Sequence, residues 1–259
     1  MTAGHGTLEA RNLAVGHGTR ALLRQVNLLV RPGGLTALLG PNGVGKSTLL
    51  RTLAGLLPPM AGQVLADGRN MHAMTAAERA RHIAVVLTGR PPVGMLDVET
   101  LVGLGRQPWT DRWGRRRAAD RQAVERALER AGAEALRHRL LDTCSDGECQ
   151  KALIARALAQ DTPVLLLDEP TAFLDLPNRA AIVRMLRDVA RKEGKAVLFS
   201  THDLQIALDL CDRLVLLRAG ADPWQGAPGE AMASGRLAEV FEGSGVVIDP
   251  RSGTHRFVP

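Results

Sequence analysis

Short apolar runs and helix-period stretches alternate along this chain. Residues 8 to 31 set Leu13-Ala14-Val15 and Val26 to Val30 between turns such as Gly16-His17-Gly18, which predicts antiparallel strands. Leu35 to Leu39 is a further, largely apolar run, and Ile83 to Leu87, Ala196 to Phe199 and Leu214 to Leu217 read as strands. Val164 to Leu167 is unbroken aliphatic sequence ending at Asp168, as expected of a strand buried on both faces. From Val98 to Ala159 the pattern turns helical, with apolar residues three and four apart in Arg121–Ala131 and Glu148–Leu158. Pro177 to Ala190 and Asp203 to Leu210 repeat that spacing. Strands alternating with helices predict an α/β fold with a mainly parallel sheet and helices on both faces. An N-terminal antiparallel β subdomain would precede it. The helical block at about 89–160 interrupts the alternation and reads as an inserted subdomain of one domain spanning 1–259.

Gly40-Pro41-Asn42-Gly43-Val44-Gly45-Lys46-Ser47 follows the Leu35 run and fits G-x-x-x-x-G-K-[ST]. Ser47-Thr48-Leu49-Leu50-Arg51 reads as the first turns of a helix, so the motif lies between a strand and a helix start, and the core is of the P-loop NTPase type. Its glycines let successive N–H groups turn inward, and the helix end adds partial positive charge where phosphates would lie. Lys46 is placed to reach the β- and γ-phosphates, and the Ser47 hydroxyl to ligate Mg²⁺. The cofactors expected are therefore ATP and Mg²⁺.

Composition narrows the setting. No apolar run approaches the roughly 18 residues that span a bilayer. Met1 to Ala10 lacks the apolar centre of a secretion signal, so a cytosolic protein, docked at most onto a membrane complex, is expected. Cys144, Cys149 and Cys211 have no paired C-x-x-C spacing and read as inert thiols rather than a disulfide framework or zinc site. The net charge of +6 would suit an anionic partner, but four of the 33 basic residues are lysines and the arginines are spread along the chain. The densest cluster, Arg112, Arg115, Arg116 and Arg117, reads as a solvated face or a contact with lipid headgroups or a partner.

The rest of the chemistry lies downstream. Asp168, at the C-terminal end of a buried strand, reaches the crevice where such sheets bind ligands, and is placed to hold Mg²⁺ through water. Glu169 is placed to align and polarise the attacking water. Ser145 heads a helix with Glu148 three residues on, a capping box; the same helix start, with free N–H groups, can also meet a phosphate. His202 follows the Ala196–Ser200 strand and can hydrogen-bond a γ-phosphate, or be structural.

Together these segments resemble the nucleotide-binding subunit of an ATP-binding cassette (ABC) transporter over nearly the whole chain. The phosphate loop Gly40–Ser47, the signature Cys144–Glu148, the run Val164–Glu169, Phe173-Leu174-Asp175 and His202 occur in the family's order. The resemblance implies a homodimer paired head to tail, in which Ser145, Gly147 and their helix contact ATP held by the opposite subunit's phosphate loop, including Lys46 and Thr48. Asp175 would work across the same interface. It also implies two transmembrane permease subunits, an extracytoplasmic substrate-binding protein, a peripheral position on the cytoplasmic face of the membrane, and no nucleic-acid partner. Val98-Glu99-Thr100-Leu101-Val102-Gly103-Leu104-Gly105-Arg106 and Ser145-Asp146-Gly147-Glu148-Cys149-Gln150-Lys151 resemble importers of iron–siderophore complexes, haem and cobalamin, iron–siderophore being preferred. A non-hydrolysing regulatory subunit and an exporter ATPase are the alternatives.

Four positions depart from that pattern. Thr88 stands where the family places a metal-touching glutamine, and a threonine hydroxyl can bind a metal or a water. Cys144 replaces leucine and Cys149 replaces arginine, which removes a positive charge. His17 aligns with the aromatic residue that stacks on adenine, and otherwise reads as an exposed turn residue.

Overall fold

The computed structural model describes residues 6–91, 95–111, 113–115, 117–242, 246–249 and 255–257. The chain opens with strands β1 (Leu8–His17) and β2 (Arg20–Val30), paired antiparallel from Leu8 opposite Val30 to His17 opposite Arg20. Strand β3 (Leu35–Leu39) leads through the glycine loop into helix α1 (Lys46–Leu53). Strands β4 (Ala61–Ala66) and β5 (Arg69–Asn70) complete an antiparallel sheet of order β2-β1-β4-β5. Next come α2 (Ala76–His82), β6 (Ile83–Val86), α3 (Val98–Leu104), α4 (Ala118–Arg130) and α5 (Asp146–Ala159). Then follow β7 (Val164–Leu167), α6 (Leu176–Glu193), β8 (Ala196–Ser200), α7 (Leu204–Leu210), β9 (Arg213–Leu216) and β10 (Trp224–Gly226). The chain closes with α8 (Pro228–Ala233), α9 (Arg236–Phe241) and the hairpin β11 (Val246–Ile248) and β12 (His255–Phe257).

The central sheet has the order β10-β9-β3-β8-β7-β6. All pairs are parallel except β10 with β9. Aliphatic runs settle here because both faces are covered. In β3, Leu35, Ala37 and Leu39 join one core with Leu165, Leu167, Val197 and Phe199. Leu38 points to the other face, with Leu166, Leu198, Val215 and Leu49 of α1. The period of two therefore divides each strand between two cores.

Helix boundaries follow from capping. Thr75 and Glu78 form a capping box at α2, a helix the apolar pattern did not reveal because it buries no residue fully. Asp175 caps α6, Pro177 lies in its first turn, and Gly194 ends it at φ 66°. Helices α3, α4 and α5 pack on one another as the helical subdomain, and α5 also packs on β6. This double contact buries α5 nearly all round, from Cys149 to Ala159. A buried ion pair joins Arg106 to Asp120 at 2.9 Å, tying the end of α3 to the start of α4. Among the described residues, no helix is long and apolar enough to cross a membrane.

Candidate functional site

The glycine loop has the backbone its sequence calls for. Gly43 and Gly45 have φ of 76° and 113°, the left-handed region that side chains disfavour. A Cβ on Gly40 would lie 2.7 Å from the Leu217 carbonyl oxygen, so the residue after β9 approaches the loop too closely for any side chain there. Gly45 offers α1 no side-chain cap, and the first turn holds no acidic residue. The leading N–H groups of α1 are thus left for an external anion. Lys46, 6% exposed, donates to the carbonyls of Gly40 at 2.8 Å and Pro41 at 3.1 Å. Burial pushes its pKa down, while the nearby charges of Glu169 and Asp168 act the other way. Asn42 and Ser47 are exposed, and Val44 is buried beneath the loop. His17 is exposed at the end of β1, and its Nε2 lies 3.1 Å from the Thr48 hydroxyl, near the start of α1.

Strand order brings the second group to the same place. β8 lies between β3 and β7, with Leu38 opposite Ser200 and Leu167 opposite Phe199. The residues that follow these strands therefore share one sheet edge, the carboxyl edge where open α/β sheets bind ligands. Asp168 is 2% exposed and accepts a hydrogen bond from the Ser200 hydroxyl at 2.7 Å. The same hydroxyl accepts from the Glu169 N–H at 2.9 Å. Ser200 thus fixes both carboxylate residues, a role the sequence pattern did not disclose. Glu169 holds φ 50°, strained for a residue with a side chain, and its Oε1 lies 2.5 Å from His202 Nε2. The Thr88 hydroxyl, at the end of β6, donates to the Asp168 carbonyl at 3.1 Å.

Ser145, Gly147 and Asp175 form a separate group. Ser145 starts α5 with the expected capping box: its N–H donates to Glu148 at 2.8 Å, and the Glu148 N–H donates to its hydroxyl at 3.3 Å. The Ser145 N–H chiefly holds the Glu148 carboxyl below its ordinary pKa. A Cβ on Gly147 would lie 2.9 Å from a Leu174 methyl, so the α5 start abuts the segment leading to Asp175. Asp175 accepts from the Asn178 N–H at 2.9 Å, which holds its carboxyl below the usual range. Phe173 and Leu176, each 68% exposed, flank that segment. Cys144 and Cys149 are free and buried, and burial pushes both thiols up. Arg90, which carried no sequence expectation, donates to the carbonyls of Leu141 and Cys144 and lies 3.7 Å from Asp146. Of the arginine cluster, Arg115 and Arg117 are exposed, and Arg112 and Arg116 lie outside the described residues.

The donors present suit magnesium bound together with a phosphate. Ser47 opens α1 beside the buried Lys46, and Asp168 ends β7 within the electrostatic reach of that lysine. Hard oxygen ligands, few in number, fit a cation that keeps most of its water and takes the rest from the substrate. Among the described residues, no group of three or more His, Cys, Asp or Glu side chains could hold a metal by itself.

The family model described as ABC transporter matches residues 23–172. The ferric enterobactin transport ATP-binding protein FepC of Escherichia coli (strain K12) is 35% identical over 260 residues, covering 100% of this chain and 96% of that protein. The cobalamin import ATP-binding protein BtuD of Halobacterium salinarum is 38% identical over 254 residues. That match covers 98% of this chain but 63% of the longer relative. The ATP-binding cassette MJ0796, solved as a dimer in a post-hydrolysis state with ADP and Pi, superposes with a TM-score of 0.74 at 26% identity. It covers 85% of this chain and 98% of the solved one.

Proposed function

The chain belongs to the ABC transporter family as an ATP-binding ATPase subunit, and on that premise we propose that it powers import of iron–siderophore complexes, as a homodimer beneath two permease subunits. The observation that carries the reading is the convergence of Lys46, Asp168, Glu169 and His202 at the ends of three adjacent strands. One such edge brings together a phosphate cradle, a metal-binding carboxylate and a base.

The loop N–H groups and the α1 start bind the β- and γ-phosphates, and Lys46 exchanges its two carbonyl partners for phosphate oxygens. Ser47 and Asp168 would hold Mg²⁺, with Thr88 bonded to the Asp168 backbone, and the ion would supply charge neutralisation. Glu169 aligns the attacking water and takes its proton, while His202 holds the carboxylate in place and faces the γ-phosphate. His17 packs against the adenine. Ser145, Gly147 and Asp175 complete the site of the opposite subunit, so two ATP molecules close the dimer and hydrolysis reopens it. A dimeric relative with ADP and Pi supports this arrangement. The protein then sits on the cytoplasmic face of the membrane, fed indirectly by an extracytoplasmic binding protein.

Cargo follows from the relatives named for ferric enterobactin and for cobalamin. The test is ATP-driven uptake into vesicles holding the complete transporter and its binding protein. Accumulation of ferric siderophore supports the proposal, and accumulation of cobalamin or haem alone reassigns the cargo. A complex that hydrolyses no ATP overturns it.

A further inference from the structure

Between β6 and the helical subdomain, the three residues Thr88-Gly89-Arg90 join two groups that otherwise belong to different nucleotides. At one end the Thr88 hydroxyl holds the carbonyl of Asp168, whose carboxylate serves the subunit's own phosphate loop. At the other end Arg90 straddles Ser145. Its Nη2 donates to the carbonyls of Leu141 and Cys144 before the serine, and its Nη1 lies 3.7 Å from the carboxylate of Asp146 after it. Gly89 turns the chain with φ 106°, a backbone that favours glycine, and apart from its chain neighbours nothing lies within 4 Å of where its Cβ would be. The bridge is therefore a matter of chain direction, not of crowding.

We propose that Arg90 is a positioning residue for hydrolysis at the opposite nucleotide. It holds the Ser145 helix start in register with the strand end that carries Asp168. The inference rests on the reading that two subunits sandwich ATP. Three features of the contact favour it. A planar guanidinium can hold two carbonyls and a carboxylate at once, which fixes orientation in a way that a point charge cannot. The residues it grips lie on either side of Ser145, so their placement sets where the first N–H groups of α5 point. Its charge also stands beside a helix N-terminus, where it adds to the field that attracts a phosphate. Arg90 also stands within electrostatic reach of Cys149, the position at which the signature had lost a positive charge.

The test uses the full chain with Arg90→Ala and Arg90→Lys, alone and combined with Glu169→Gln. Measured on dilute, monomeric protein, ATP affinity of Arg90→Ala is expected within about twofold of the unsubstituted chain, because its own cradle is intact. Turnover is expected to fall about tenfold, and the ATP concentration that half-dimerises the Glu169→Gln chain to rise about tenfold. Arg90→Lys should recover part of both. Unchanged turnover and dimerisation in Arg90→Ala would overturn the proposal. So would loss of ATP binding by the monomer in proportion to activity, which would mark Arg90 as a support of its own subunit's cradle. Failure of Glu169→Gln alone to dimerise with ATP would instead sink the sandwich on which the inference rests.

Discussion

Glu169 and His202 close on each other at the edge of the central sheet, with Oε1 2.5 Å from Nε2, although 33 residues separate them in sequence. The contact joins the end of β7 to the end of β8, and the Ser200 hydroxyl between them fixes the backbone of the glutamate. As the proposed base, Glu169 would then start with its carboxylate already placed by this contact and its backbone by Ser200. Glu169→Gln keeps the shape and removes the proton acceptor. Turnover of Mg-ATP is expected to fall about a thousandfold, with ATP still bound and a dimer trapped on size-exclusion chromatography. Hydrolysis at the unsubstituted rate would remove Glu169 from the role of base.

Lys46 presents a different dependence. Its ammonium is buried against the Gly40 and Pro41 carbonyls, so the charge is already desolvated before a phosphate arrives. Lys46→Ala should weaken ATP binding about thirtyfold and leave the far-ultraviolet circular dichroism spectrum unchanged. Calorimetric titration of ATP into the variant reads the first quantity directly.

His17 lies against the Thr48 hydroxyl at the start of α1. If His17 packs on the adenine as proposed, it contributes equally to ground and transition states. His17→Ala should therefore raise the KM for ATP about threefold to tenfold with kcat little changed. A fall in kcat at constant KM would place the ring in the reaction instead.

Asp120 tests the helical subdomain. Burial alone would raise its carboxyl pKa, but hydrogen bonds from the Arg117 N–H and the Arg106 guanidinium outweigh it and leave the pKa lowered. A depressed carboxyl stabilises the fold fully above its unfolded value of about 4 and loses that contribution as pH falls through the lower folded value. Asp120→Asn should cost about 3 kcal/mol at neutral pH, because it leaves the buried Arg106 uncompensated. Urea unfolding should show the gap between variant and parent narrowing below about pH 4; a gap independent of pH would mean the charge is not what matters.

Much of the fold was legible because buried parallel strands leave unmistakable aliphatic runs, as in Val164–Leu167, and because the phosphate loop has no other common use. The α5 start was legible through Ser145 and Glu148, a local signal of four residues. What escaped had no local signal. Helix α2 buries nothing fully, so its period is faint. Ser200 acquires its role through a strand pairing with residues 32 positions away. Arg90 acts across 51 and 54 residues onto backbone carbonyls, which every residue possesses and no pattern marks. His17 is exposed at the end of β1, and its contact with Thr48, 31 positions on, was equally invisible in the sequence.

The position of β8 carries a consequence for synthesis of the protein. In space it fills the slot between β3 and β7, yet both of those leave the ribosome before it. Until residues 196–200 emerge, the cradle and the acidic strand end face each other across a missing plank, and Ser200 is not there to pin Asp168. A nascent chain halted at α6 therefore has both flanking strands but neither the strand that joins them nor the Ser200 hydroxyl that ties Asp168 and Glu169 to it.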